Sequence, residues 1–221
     1  MHTRREAAEA EGFEPGSESR TWLQAEMFEA LAEINEDCLE LLAAQSMART
    51  LQSHPLLREL AELWRTLDAG ARRRAAACPY LIVDAGFADT RRWRFPGGHE
   101  VTEPCVSTVA AAFFTVQGAD AVVRRVLLYA RELARTNSVA ARMLLGMPAQ
   151  CATLIGGCTL RQVDEISARN ASWLRPRWPN RVLVWRELLV AARAGEGAAL
   201  ELARMHGLQL LAAEMRASGM S

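Results

Sequence analysis

Arg169, Arg175, Arg177, Arg181 and Arg186 fall within one short stretch, interleaved with Trp173, Trp178 and Trp185, and Glu187 is the counter-charge beside them. A guanidinium fork binds phosphate through two parallel N–H···O bonds, and an indole face stacks on a base or on another guanidinium. The stretch therefore has the chemical means to hold nucleic acid, with affinity dominated by phosphate contacts. The same residues also suit a packed interior. Trp178 and Trp185, seven positions apart, would then bury on one helix face while the arginines pair with carboxylates elsewhere in the chain. Together with Arg161 just upstream, Arg169, Arg175, Arg177 and Arg181 are the candidate contacts for nucleic acid or a protein partner.

Catalytic chemistry has less to work with. The four histidines, at 2, 54, 99 and 206, show no H-x-x-x-H or H-E-x-x-H relation. His99 and Cys105 share a loop, but nucleophilic catalysis needs a defined thiol–imidazole distance and a third group to orient the base. The five cysteines, at 38, 78, 105, 151 and 158, form no C-x-x-C pair and sit mostly among apolar residues, so they read as small buried hydrophobes. All 26 basic residues are Arg, which removes P-loop and Schiff-base chemistry. The expectation is a protein that is not an enzyme, with no catalytic, cofactor-binding or metal-ligating residues.

The net charge of zero hides an asymmetry. Residues 1 to 120 hold an excess of Asp and Glu, whereas residues 121 to 221 hold an excess of Arg. An acidic lobe beside a basic one suits either head-to-tail assembly or an anionic partner for the second half. No run reaches the roughly 18 apolar residues of a membrane helix, and the first residues, MHTRREAAEAEGFEPG, lack the apolar centre of a secretory signal. A cytoplasmic protein without membrane contact is expected.

Helix punctuation dominates what must position these groups. Residues 1–19, polar and broken by Gly12, Pro15 and Gly16, predict a flexible tail. A helix capped at Ser19 or Thr21 should carry Met27, Leu31, Ile34, Cys38, Leu41 and Leu42 inward and stop before Pro55, with a second over residues 55–67. Asp68 should cap a short helix that ends as Pro79 approaches. Residues 79–84 predict an extended segment laid over helices, since no neighbouring run offers it a sheet. Residues 94–106 predict an irregular loop, TVAAAFFTV a helix, and Asp120 onward a helix with a Val122, Val126, Leu127, Ala130 and Leu133 stripe. Asn137 or Ser138 should cap SVAARMLL, which Gly146 ends in a left-handed turn, with Pro148 in the first turn of the next helix. Gly156-Gly157 ends that one in turn. Thr159 and Gln162 have the spacing of a capping box, starting a helix to Asn170 with Leu160, Val163 and Ile166 inward. The final apolar segment puts Leu200, Ala203, Leu208, Leu211 and Met215 around Gly207, either as a kinked helix closing the core or as a surface for a dimer partner.

Two short helices joined by a glycine-containing turn have helix-turn-helix-like geometry. Ala141-Arg-Met-Leu-Leu-Gly146-Met147, Thr159-Leu160-x-Gln162 and Ala168-x-Asn170 resemble, in order and approximate spacing, the core of the flagellar transcriptional regulator FlhD. AEINEDCLELLAAQ, near residue 32, is similar to that family's opening helix. The resemblance spans about residues 138–180 and implies an all-helical, cytoplasmic, oligomeric bacterial protein that regulates transcription with the partner protein FlhC. This chain is about twice the family's usual length, and it carries Leu174 where the family has a cysteine. As a whole, with CPYLIVDAGFADTRRW and NASWLRPRWPNRVLVWRELL as its marks, it is similar to a group of helical proteobacterial proteins of this size.

A faint internal echo links residues 63–81 with 154–174. In both, an apolar turn leads to a capped helix and an exit with aromatic and arginine residues. Two related units about a pseudo-twofold would produce it. The expectation is an all-α bundle of short helices over residues 20–221, with units 20–93 and 107–221. It would act as a regulator that binds a partner protein and DNA, or as an adaptor assembling through its charged lobes without DNA.

Overall fold

A computed structural model of the chain describes residues 16–48, 54–93, 112–115, 117–169 and 171–217. Those residues form ten α-helices and two strands of two residues each, so the fold is all-α. The helices are α1 (Gly16–Met47), α2 (Pro55–Glu59), α3 (Ala61–Thr66), α4 (Ala69–Ala76), α5 (Ala119–Thr136), α6 (Ser138–Leu145), α7 (Ala149–Gly156), α8 (Leu160–Arg169), α9 (Val182–Ala194) and α10 (Gly197–Ala217). Among the described residues no single helix is long and apolar enough to cross a membrane.

Local chemistry sets most of the boundaries. Asp68 accepts from the Ala71 N–H at 2.7 Å and starts α4, and Asn137 accepts from the Ala140 N–H at 2.9 Å and starts α6. Gly146 ends α6 with φ +62, a left-handed conformation that costs a side-chain-bearing residue dearly. The capping box at α8 closes both ways: the Thr159 N–H donates to Gln162 Oε1 at 2.8 Å and the Gln162 N–H to Thr159 Oγ1 at 3.2 Å. Pro148 is the N-cap of α7. The expected helix over 55–67 breaks at Leu60 into α2 and α3. Of the expected TVAAAFFTV helix, residues 112–115 are not helical, and residues 108–111 and 116 lie outside the described residues. The expected tail over 1–19 also lies outside them as far as residue 15, and α1 begins at Gly16, ahead of Ser19.

The two halves repeat one order of elements. α1 packs on α3 and α4, α5 packs on α7 and α8, and α1 and α5 pack on each other. Their buried faces follow the same spacing: Leu31, Ile34, Asn35, Cys38, Leu39 and Leu42 in α1, and Ala119, Val122, Val123, Val126, Leu127 and Ala130 in α5. Asn35 thus stands where the second half has Val123. Its buried amide donates to the carbonyls of Ala76 and Tyr80 and accepts from the Ile82 N–H, all at 3.0 Å, tying the exit of α4 to α1.

Each half then leaves through a turn into a strand. β1 (Val83–Asp84) and β2 (Arg175–Pro176) pair antiparallel, Val83 with Pro176 and Asp84 with Arg175. The expectation that 79–84 had no sheet partner is therefore corrected. Its partner is a two-residue run holding a proline, too short to carry an alternating apolar pattern. Leu81 and Leu174, equivalent in the internal echo, stand as far apart in the chain as Val83 and Pro176. A pseudo-twofold through that pair would make each strand the other's counterpart. Beyond the ladder each arm crosses to the opposite half: α9 packs on α2, α3 and α4, and the 3₁₀ turn Thr90–Trp93 packs on α7. Trp185 donates to the Arg177 carbonyl at 2.8 Å and stacks obliquely on Trp64. Trp93 donates to the Gly86 carbonyl at 3.1 Å and meets Trp173 edge-on. Each such aromatic pair adds roughly 1 kcal/mol beyond its buried area.

Candidate functional site: the outward arginines and the terminal hairpin

Residues 160–217 carry the candidate contacts and are held by three devices: the capping box of α8, the β1/β2 ladder and the α9–α10 hairpin. Arg161 projects from the first turn of α8 with its side chain 88% exposed, its guanidinium bonded to Glu165 one turn on at 3.1 Å. Arg169, in the last turn of α8, and Arg181, the N-cap of α9, are also exposed. Arg175 is half-exposed in β2, its guanidinium 3.9 Å from the Asp84 carboxylate. Four of the five predicted contacts thus stand at the surface.

Arg177 does not, and its expected role as a contact is corrected. It is 6% exposed, and its guanidinium donates to the carbonyls of Leu81, at 2.7 Å, and of Leu145. Its backbone N–H donates to the Ile82 carbonyl at 2.9 Å, and Glu214 lies 4.0 Å away. Burial pulls its pKa down from the usual arginine range, while Asp84 and Glu214 oppose that shift. The residue is a strut joining β1, the end of α6 and α10. No local pattern marks it, because both carbonyl acceptors lie far along the chain.

Trp178 and Trp185 do not share a helix face. Trp178 precedes α9 in a left-handed conformation, φ +48, rare for a bulky residue, and meets Tyr80 edge-on at 5.8 Å between ring centres. Leu160, expected inward, is exposed, because it opens α8 before the helix reaches the core. Gly207 does not end or divide α10, which runs unbroken from Gly197 to Ala217. It is where Tyr80 abuts the helix: a Cβ there would sit 1.8 Å from the Tyr80 hydroxyl oxygen.

The thiols follow the sequence reading. Cys38, Cys78, Cys151 and Cys158 are buried and free, and burial pushes each thiol up, Cys78 to about 11. A thiol held in its neutral form is a poor nucleophile and a poor ligand. His99 and Cys105 lie outside the described residues. Among the described residues no cluster of three or more His, Cys, Asp or Glu could hold a metal. A shallow open depression beside α5 and α7 is lined by Ala134, Arg135, Ser138, Ala152, Thr153, Gly156 and Gly157.

The two charged halves meet at the surface through Arg125, and arginines of the first half add to the pairing of α1. Arg125 of α5 pairs with Glu33 and Asp37 of α1, and Arg72 and Arg73 of α4 approach Glu40 and Glu36 at 3.7 and 3.8 Å. Much of the acidic face of α1 is thus engaged within the chain, which leaves less of it for assembly between chains. The final segment was expected either to close the core or to face a dimer partner, on one and the same stripe; that stripe closes the core, and the exposed apolar residues of the α9–α10 hairpin are different ones. Leu183, Leu202 and Met205 are 66%, 73% and 51% exposed, and Val190 is exposed beside them. Glu187 of α9 and His206 of α10 are 3.1 Å apart across the hairpin. The inner stripe of α10, Leu200, Ala203, Gly207 and Leu211, is buried. The signal for the outer row was the second apolar spacing within the same helix. No family model matches the chain, and no curated protein or solved structure matches it.

Proposed function

We propose that the chain is a non-enzymatic regulatory protein that works by contact, in the manner its FlhD-like segment implies. It binds a protein partner and, through Arg161, Arg169, Arg175 and Arg181, the phosphates of DNA. The observation that carries this reading is the outward placement of those four side chains along α8, β2 and the start of α9, while Arg177 between them holds the surface rigid from inside. Guanidinium groups on rigid backbone lose little freedom on meeting a phosphate, which favours binding. The alternative, an adaptor assembling through acidic and basic lobes, is less favoured because α1 carboxylates are satisfied by Arg72, Arg73 and Arg125 of the same chain.

Charge reversal tests it. Arg169→Glu with Arg181→Glu should lower affinity for a mixed-sequence duplex at low salt at least tenfold, read by fluorescence anisotropy, with helical circular dichroism unchanged. Wild-type chain that binds no duplex at low salt, or a variant that binds as well as wild type, would overturn the DNA part of the proposal. Arg177 is left out because its substitution would disturb the fold.

A further inference from the structure

We propose that the outer side of the α9–α10 hairpin is the interface of a twofold dimer, whose occupant is the same hairpin of a second copy of this chain. This rests on the reading that the protein works by contact, and it names one partner. α10 lays its inner stripe on α9 and the core and leaves a second row facing out: Ala198, Leu202, Met205, Gln209, Ala212 and Arg216, all exposed. Those residues alternate steps of four and three, the heptad spacing of a helix that packs lengthwise against another helix. The spacing reads identically in both directions about the level of Gly207. Two antiparallel copies therefore bring each position opposite a member of the same row.

The pairing is complementary in size and in charge. Leu202 falls opposite Ala212 of the second copy, and Met205 opposite Gln209, so the largest apolar side chains meet small or flexible ones. Arg216, near the C-terminus of α10, falls beside the start of the opposite helix, where the exposed Glu196 stands, Glu201 being paired with Arg204 of its own helix. The antiparallel arrangement also sets the two helix dipoles head to tail. α9 adds Leu183 and Val190 along one flank, making the assembly a four-helix bundle of two hairpins. What favours a second copy over another helix is the pairing itself, Leu202 with Ala212 and Arg216 with Glu196. The paired hairpins, α10 being about 31 Å long at 1.5 Å per residue, would cover on the order of 1,000 Å² in total, enough for a specific but concentration-dependent dimer.

The test is the mass of the full chain in solution, by sedimentation equilibrium across the micromolar range. Wild type should pass from monomer to dimer as concentration rises and stop there. Leu202→Glu with Met205→Glu, both at exposed positions, should raise the dissociation constant at least tenfold with helical circular dichroism unchanged, and with the melting temperature unchanged at concentrations where wild type is monomeric. A chain that is monomeric throughout, a dimer indifferent to the double substitution, or open-ended growth beyond the dimer would each overturn the proposal. The substituted row excludes Arg169 and Arg181, so the duplex measurement and this one fail independently.

Discussion

Cys78 is buried beside the end of α4, its Sγ–H donating to the Ala75 carbonyl at 3.2 Å, and burial raises its thiol from 9.0 to about 11. A raised thiol pKa means that the folded state keeps its proton after the unfolded chain has begun to lose it. The stability associated with the neutral thiol is complete below pH 9 and is lost as pH climbs toward 11. The melting temperature should therefore fall across that interval, and Cys78→Ser should lessen the fall only in part, since Cys38, Cys151 and Cys158 are raised as well. An unchanged melting temperature from pH 9 to 11 would contradict the buried, neutral thiol. Single residues were legible where their partners are close in sequence, as with Thr159 and Gln162 or Asp68 and Ala71. Arg177 was not, because its acceptors, the carbonyls of Leu81 and Leu145, come from distant turns that only the fold brings together.

α10 shows how far an element can be read from its periodicity. Its inner stripe was legible because Leu200, Ala203 and Leu211 recur at helical spacing. Its outer row shares the helix and offers no contrast between apolar and polar sides, so sequence alone did not separate core from surface. Gly207 suggested a kink, yet the helix is continuous and the glycine admits Tyr80. Gly207→Ala would place a methyl group within the van der Waals envelope of that ring. Overpacking of this kind costs roughly 1–3 kcal/mol. The urea midpoint should fall accordingly, and a variant as stable as wild type would show that Tyr80 does not hold α10.

At the scale of the whole molecule, the halves share a core through α1 and α5, share a ladder through Val83 and Pro176, and exchange arms, with α9 over the first half and Trp93 beside the second. All-helical architecture and the internal echo were visible in capping residues and apolar spacing. The exchange was not, since crossing arms leave no periodic trace. Because neither half completes its own covering, thermal unfolding followed by circular dichroism and by tryptophan fluorescence should give one coincident transition. Two separated transitions would mean that the halves are independent domains. The most direct test of the proposal that the outward arginines bind DNA is the salt dependence of duplex binding. With about four phosphates neutralised, the logarithm of the binding constant should fall against the logarithm of salt with a slope of about −3.6, and Arg169→Glu with Arg181→Glu should flatten it by about 2. Binding absent at low salt, or a slope untouched by that reversal, would contradict it.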